Sequence, residues 1–163
     1  QNKNFKKKKK ENNEIINLYI ENLKHISDKK DIQKIWHVDT FHSTCKFWFY
    51  IEDINNDKLG SFEYIEESHI NSYDKLKYEN ELVNNILTNK INDISNTGSL
   101  RYYSDKNIKN LNYKDSQFKK TLYNKNTLII ANTRMIHRRG HGKINTIRNT
   151  VGGSIRNNVV KSV

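Results

Sequence analysis

The chain has 163 residues, 34% of them hydrophobic, which suits one domain with a lean core; the apolar residues come in short runs, as they do in a folded protein. Its formal charge of +11 invites a nucleic-acid partner. Much of that excess lies in the lysines of residues 6–10 and no base-reading motif accompanies it, so a specific nucleic-acid binder is not expected. No apolar run approaches the roughly 20 residues of a membrane helix, and the single cysteine, Cys45, excludes an intrachain disulfide and fits a reducing, cytoplasmic compartment.

Residues 1–10 read as a basic, mobile tail, and residues 11–163 as one domain without a Gly/Ser linker or internal repeat. Residues 11–26 place Ile15, Ile16, Leu18, Tyr19, Leu23 and Ile26 at spacings that predict a helix flanking a sheet. Residues 32–39 read as a strand. The aromatic run from Cys45 to Ile54 is the strongest strand signal, and the turn chemistry of residues 55–60 predicts a hairpin to a second strand at 61–65. Residues 71–94 read as a helical insertion, and residues 95–116 as loop with a short strand at 100–103. Strands at 121–123, 127–131, 134–138 and 146–155 complete the chain. Many short strands broken by turns predict a mainly β fold with flanking helices, a double-stranded β-helix or jelly roll of the cupin kind.

Two segments carry chemistry. His37 and Asp39 are two residues apart on an extended chain, so an imidazole and a carboxylate share one face. A second imidazole, His137, arriving from a distant strand would complete two nitrogens and one oxygen on one side of a metal. Such a facial set leaves the opposite side open, as in non-haem Fe(II) oxygenases. Arg148, eleven residues past His137, can grip a carboxylate through two parallel hydrogen bonds, and Thr150 on the same strand face can add a hydroxyl. His42 points away from Asp39 on an extended chain. His141 would pair with His137 only on a helix, which the flanking glycines disfavour.

The order His37-x-Asp39, His137, Arg148, with intervals of 98 and 11 residues, resembles the phytanoyl-CoA dioxygenase family within the Fe(II)/2-oxoglutarate-dependent oxygenases. A second landmark of the family, a tryptophan-bearing strand, a turn with a glycine, a short strand and then Pro-Gly-Ser/Thr-His, matches Trp48, Gly60, Phe62 to Ile65 and Glu66-Glu67-Ser68-His69. Glu66 and Glu67 depart from the Pro-Gly of the family, and the chain is short at its N-terminus, where members carry further helices and a strand. The resemblance implies that His37, Asp39 and His137 hold Fe(II) and that Arg148 and Thr150 bind 2-oxoglutarate. Trp48 would wall the pocket, and Lys46, on the same face, would meet an anion there or be solvated.

The implied activity is hydroxylation of a small-molecule substrate by O2, with decarboxylation of 2-oxoglutarate to succinate and CO2. An aspartate at position 39 argues against a halogenase, in which the carboxylate ligand is replaced. The alternative is a non-catalytic β-barrel binding protein that keeps the fold, with or without the metal. Neither the substrate nor the oligomeric state is encoded in a recognisable way.

Overall fold

The computed structural model describes residues 3–5, 14–24, 31–39, 44–56, 58–88 and 101–157. The strands are β1 (Lys3–Phe5), β2 (Glu14–Lys24), β3 (Trp36–Val38), β4 (Cys45–Tyr50), β5 (Phe62–Ile65), β6 (Arg101–Tyr103), β7 (Phe118–Thr121), β8 (Thr127–Asn132), β9 (His137–Arg139) and β10 (Ile147–Asn157). Among the described residues, the α-helices α1 (Tyr73–Leu87) and α2 (Asp105–Asn110) lie on either side of β6 in the sequence. One sheet has the order β1-β2-β10-β4-β8 and the other β6-β3-β9-β5-β7, with antiparallel pairing throughout. From β2 to β5, and again from β8 to β10, the chain alternates between the sheets, which is the winding of the jelly roll that the strand pattern predicts.

Three expectations are corrected. The stretch predicted as a helix is β2, paired with β10 over eleven residues from Ile147↔Lys24 to Asn157↔Glu14. Its isoleucines satisfy a helical period and a strand period equally well, and the long ladder with β10 decides between them. The hairpin expected between residues 45–54 and 61–65 is absent, because β4 and β5 lie in different sheets. The turn residues between them instead carry the chain across, with Ile54 bridging Tyr123 and Gly60 at φ 70°. The strand expected over 32–39 is shorter, a 3-10 turn at Ile32–Lys34 followed by β3; Asp31 caps the turn by accepting from the Gln33 amide.

Within the stretch read as loop, Ser104 starts α2 through a reciprocal capping box with Asn107, a local signal that sets the helix without apolar periodicity. The tail contributes the edge strand β1, while its lysine run at 6–10 lies outside the described residues, as do His25 and His42. No helix among the described residues is long and apolar enough to cross a membrane.

Side-chain alternation along β3 positions everything that follows. Trp36 and Val38 point away from the facing sheet into an apolar core with Ile65, Tyr103, Ile108, Leu111 and Ile136, joined by Tyr78 of α1. His37 and Asp39 point the other way, into the space between the sheets.

Candidate metal centre

β3 and β9 are neighbours, and His37 stands directly opposite His137 in the register, with the rings 4.5 Å apart between centroids. Asp39 follows β3, anchored by its amide donating to the Thr133 carbonyl at 3.1 Å. A long-range pairing thus brings His137 to the His37 and Asp39 pair, 98 residues after Asp39 in the sequence. Their candidate ligand atoms all lie within 4.8 Å of one another, and all three residues are buried.

The histidine tautomers follow from the backbone. His37 Nδ1 is 2.7 Å from the Ile35 carbonyl and His137 Nδ1 is 2.7 Å from the Met135 carbonyl. A carbonyl only accepts, so each Nδ1 carries the proton and each Nε2 offers a lone pair. Both Nε2 atoms lie 3.7 Å from Asp39 Oδ1, too far for a hydrogen bond. His37 Nε2 is buried without a hydrogen-bond partner among the described residues. Orientation of imidazoles by backbone acceptors is the usual outer support of a metal-binding histidine, and the donor set of two imidazoles and one carboxylate suits Fe(II).

The electrostatics favour the same states. Burial, reinforced by the neighbouring His137, lowers His37 to about 4, and burial also lowers His137, so both imidazoles are neutral at pH 7. Burial raises the Asp39 carboxyl, but His137 and the Lys46 ammonium more than offset that, so it titrates below the ordinary carboxylate value. Lys46 Nζ lies 2.6 Å from Asp39 Oδ2. Lys46 therefore turns its ammonium toward the site, the first of the two outcomes that its strand face allows.

The centre opens onto a cavity of about 340 Å³ between the sheets, lined by residues that include His37, His137, Lys46, Trp48 and Arg148. Arg148 and Thr150 sit on β10, 4% and 0% exposed, and Lys46 and Trp48 on the neighbouring β4. Trp48 packs on Phe62, whose ring in turn meets His137. Arg148 donates to the Gly60 carbonyl at 2.6 Å and to Glu21 Oε2 at 3.2 Å, and its guanidinium lies over the Tyr50 ring. His69 and His141 are exposed and do not line the cavity.

Tyr19 and Glu21 on β2, Arg139 on β9 and Tyr50 on β4 also line it. The helix predicted over residues 11–26 hides Tyr19 and Glu21, and nothing in the sequence separates Arg139 from its neighbour Arg138. The readable signal was the polar alternation Asn17, Tyr19, Glu21 against Leu18 and Ile20, which marks an inward and an outward strand face.

The turn Glu66 to His69 carries the departure from the Pro-Gly pattern. Glu67, at the glycine position, adopts φ 63°. Ser68 is buried; its Oγ accepts from the Ile136 amide at 2.8 Å, and its carbonyl accepts from Lys75 Nζ at 2.6 Å. The turn thereby ties α1 to the residue preceding His137.

No protein-family model and no curated protein sequence matches the chain. Solved structures do share its fold. AviO1 from Streptomyces viridochromogenes Tue57 is 11% identical with a TM-score of 0.51, over 91% of this chain and 52% of that one. HygX from Streptomyces hygroscopicus with iron bound is 12% identical with a TM-score of 0.52, over 91% of this chain and 60% of that one. HygX with nickel and 2-oxoglutarate bound gives 12% and 0.52, over 91% and 58%. The chain spans between about half and three fifths of the length of these proteins, and at such identities the likeness is one of fold.

Proposed function

We propose that this chain carries the core of an Fe(II)- and 2-oxoglutarate-dependent oxygenase that hydroxylates a small molecule. The observation that carries the reading is the pair of buried histidines whose Nδ1 atoms are committed to backbone carbonyls, so that both Nε2 atoms converge with Asp39 within 4.8 Å. His37, Asp39 and His137 would hold the iron, and Arg148 with Thr150 would receive the far carboxylate of the keto acid. When bound, the metal and keto acid supply O2 activation and oxidation of a C–H bond, with loss of CO2 and formation of succinate.

The chain's own contributions are binding, orientation and exclusion of water. Trp48, Phe62 and Tyr50 give the cavity dry walls, and the cation of Lys46 beside Asp39 suits an anionic ligand near the metal. The HygX structures with iron and with nickel and 2-oxoglutarate on the same fold support the cofactor pair. Motif order and the Ser68 turn support the finer placement beside the phytanoyl-CoA dioxygenases. The single cysteine suits a reducing, cytoplasmic setting.

Anaerobic Fe(II) titration with 2-oxoglutarate tests the reading. A weak visible charge-transfer band in the wild type that is lost in Asp39→Ala is the expected result. No band from a folded, iron-loaded protein would overturn it. The second reading, a non-catalytic binding barrel, is favoured by the Lys46 ammonium, which satisfies Asp39 without a metal. Keto-acid decarboxylation coupled to O2 uptake would exclude it.

A further inference from the structure

Arg148 and Thr150 already hold a carboxylate, and it belongs to the protein. Glu21 Oε2 lies 3.2 Å from Arg148 Nη2 and 3.5 Å from Thr150 Oγ1, while Glu21 Oε1 accepts from Arg139 Nη2 at 2.9 Å. Arg139 is in turn tied to Asp31 Oδ2 at 3.1 Å through its other terminal nitrogen. Building on the proposed cosubstrate site, we infer that Glu21 is a specificity-determining residue that competes with the far carboxylate of a keto diacid for Arg148 and retires onto Arg139 when the diacid binds.

The contacts are unequal in the direction that exchange requires. The contacts of Glu21 with Arg148 and Thr150 are long, and its contact with Arg139 is shorter, so the bond most easily given up is the one the ligand needs. Arg148 is also incompletely used. Its Nη1 is spent on the Gly60 carbonyl, its Nη2 on Glu21, and its Nε is buried without a partner among the described residues. A carboxylate arriving from the cavity can take Nε and Nη2 together, the two-point geometry that a guanidinium prefers, and so satisfy an atom that Glu21 leaves unmet.

Displaced Glu21 does not become an isolated buried charge. Arg139 keeps its Oε1, and Glu21 and Arg139 both line the same cavity. A keto acid without a far carboxylate has no means of displacing Glu21 and gains nothing from its removal. Glu21 thus sets how strongly the site rewards the second carboxylate.

The test is calorimetric titration of the nickel(II)-loaded full chain with 2-oxoglutarate and with 2-oxobutanoate, which lacks the far carboxylate. Glu21→Gln should bind 2-oxoglutarate about tenfold more tightly than wild type and 2-oxobutanoate equally. Arg139→Met, which removes the resting place of Glu21, should weaken 2-oxoglutarate binding and leave 2-oxobutanoate unaffected. Unchanged or weaker 2-oxoglutarate binding by Glu21→Gln, or equal tightening toward both acids, overturns the competitor role while leaving the cosubstrate reading intact. Nickel uptake with no binding of either acid by wild type and Glu21→Gln alike overturns both. If Glu21→Gln does not fold, unaltered 2-oxoglutarate affinity in Arg139→Met overturns the competitor role by itself.

Discussion

The two faces of β3 are equally buried and differently built. Trp36 and Val38 are 6% and 2% exposed, His37 and Asp39 1% and 4%. On the outer face the apolar side chains pack on Ile65, Ile108, Leu111 and Ile136, and two of the polar groups nearby are paired, Lys75 with two carbonyls and Tyr103 with Glu79, while the Tyr113 hydroxyl is buried without a partner among the described residues. On the inner face the two imidazoles lie side by side at the wall of a cavity of about 340 Å³, and His37 Nε2 has no hydrogen-bond partner among the described residues. Burial therefore stabilises on one side of the strand, and on the other it gathers candidate ligand atoms at a cost in stability.

Asp39→Ala sharpens that contrast most. Metal affinity, read by nickel(II) titration, should fall by more than about 100-fold. Thermal melting of the metal-free protein should change little, because Lys46 is partly exposed and can turn to water. A collapse of the fold on this substitution would show that the inner face supports the structure and would break the comparison.

The outer face should answer in the opposite sense. Ile65 is fully buried in the apolar core, so Ile65→Ala should cost about 2–4 kcal/mol in denaturant unfolding. The variant that remains folded should bind nickel as the wild type does. Loss of metal affinity parallel to the loss of stability would mean that the two faces are not separable.

Acid separates the faces without mutation. His37 is lowered from 6.5 to about 4 and His137 is lowered too, chiefly by burial in each case. The unfolded chain therefore binds more protons than the native one between those values, and stability rises with pH there. The contribution is fully present above about 6.5 and is lost as pH falls toward about 4. The melting temperature of the metal-free protein should fall across that window, and His37→Gln should flatten the fall. A pH-independent melting temperature between these values would place both imidazoles in a wetter setting than the one described.

What could be read in the sequence was what depends on short intervals. His37 and Asp39 share a face because they are two residues apart, and Arg148 and Thr150 share one for the same reason. The run of β4 announced itself through its aromatic residues, bounded by turn chemistry. Glu21 and the rest of β2 were legible only through the short alternation of Asn17, Tyr19 and Glu21 with Leu18 and Ile20, because Ile15, Ile16, Leu18, Tyr19 and Ile20 fit a helix and a strand alike and the deciding ladder with β10 begins more than 100 residues later. The separation of β4 and β5 was hidden for a related reason: a turn specifies a change of direction, while the sheet that receives the next strand is settled by distant partners, here β9 and β7.

The smallest expected effect lies at Glu67, in the turn joining β5 to α1. Its φ of 63° belongs to the left-handed region, where a side chain costs about 1–2 kcal/mol relative to glycine. Glycine in turn gives the unfolded chain more freedom, which offsets about 0.4–1 kcal/mol. Glu67→Gly should therefore stabilise by up to about 1 kcal/mol, a rise of a few degrees in melting temperature. Because Glu67 is exposed and the turn meets β9 through Ser68 and the Ile136 amide, the gain should fall on the outer face alone, with nickel affinity unchanged. A lower melting temperature would show that the Glu67 side chain contributes more than its backbone strain removes. Tighter nickel binding would show instead that strain in this turn reaches His137 through the single residue that separates them.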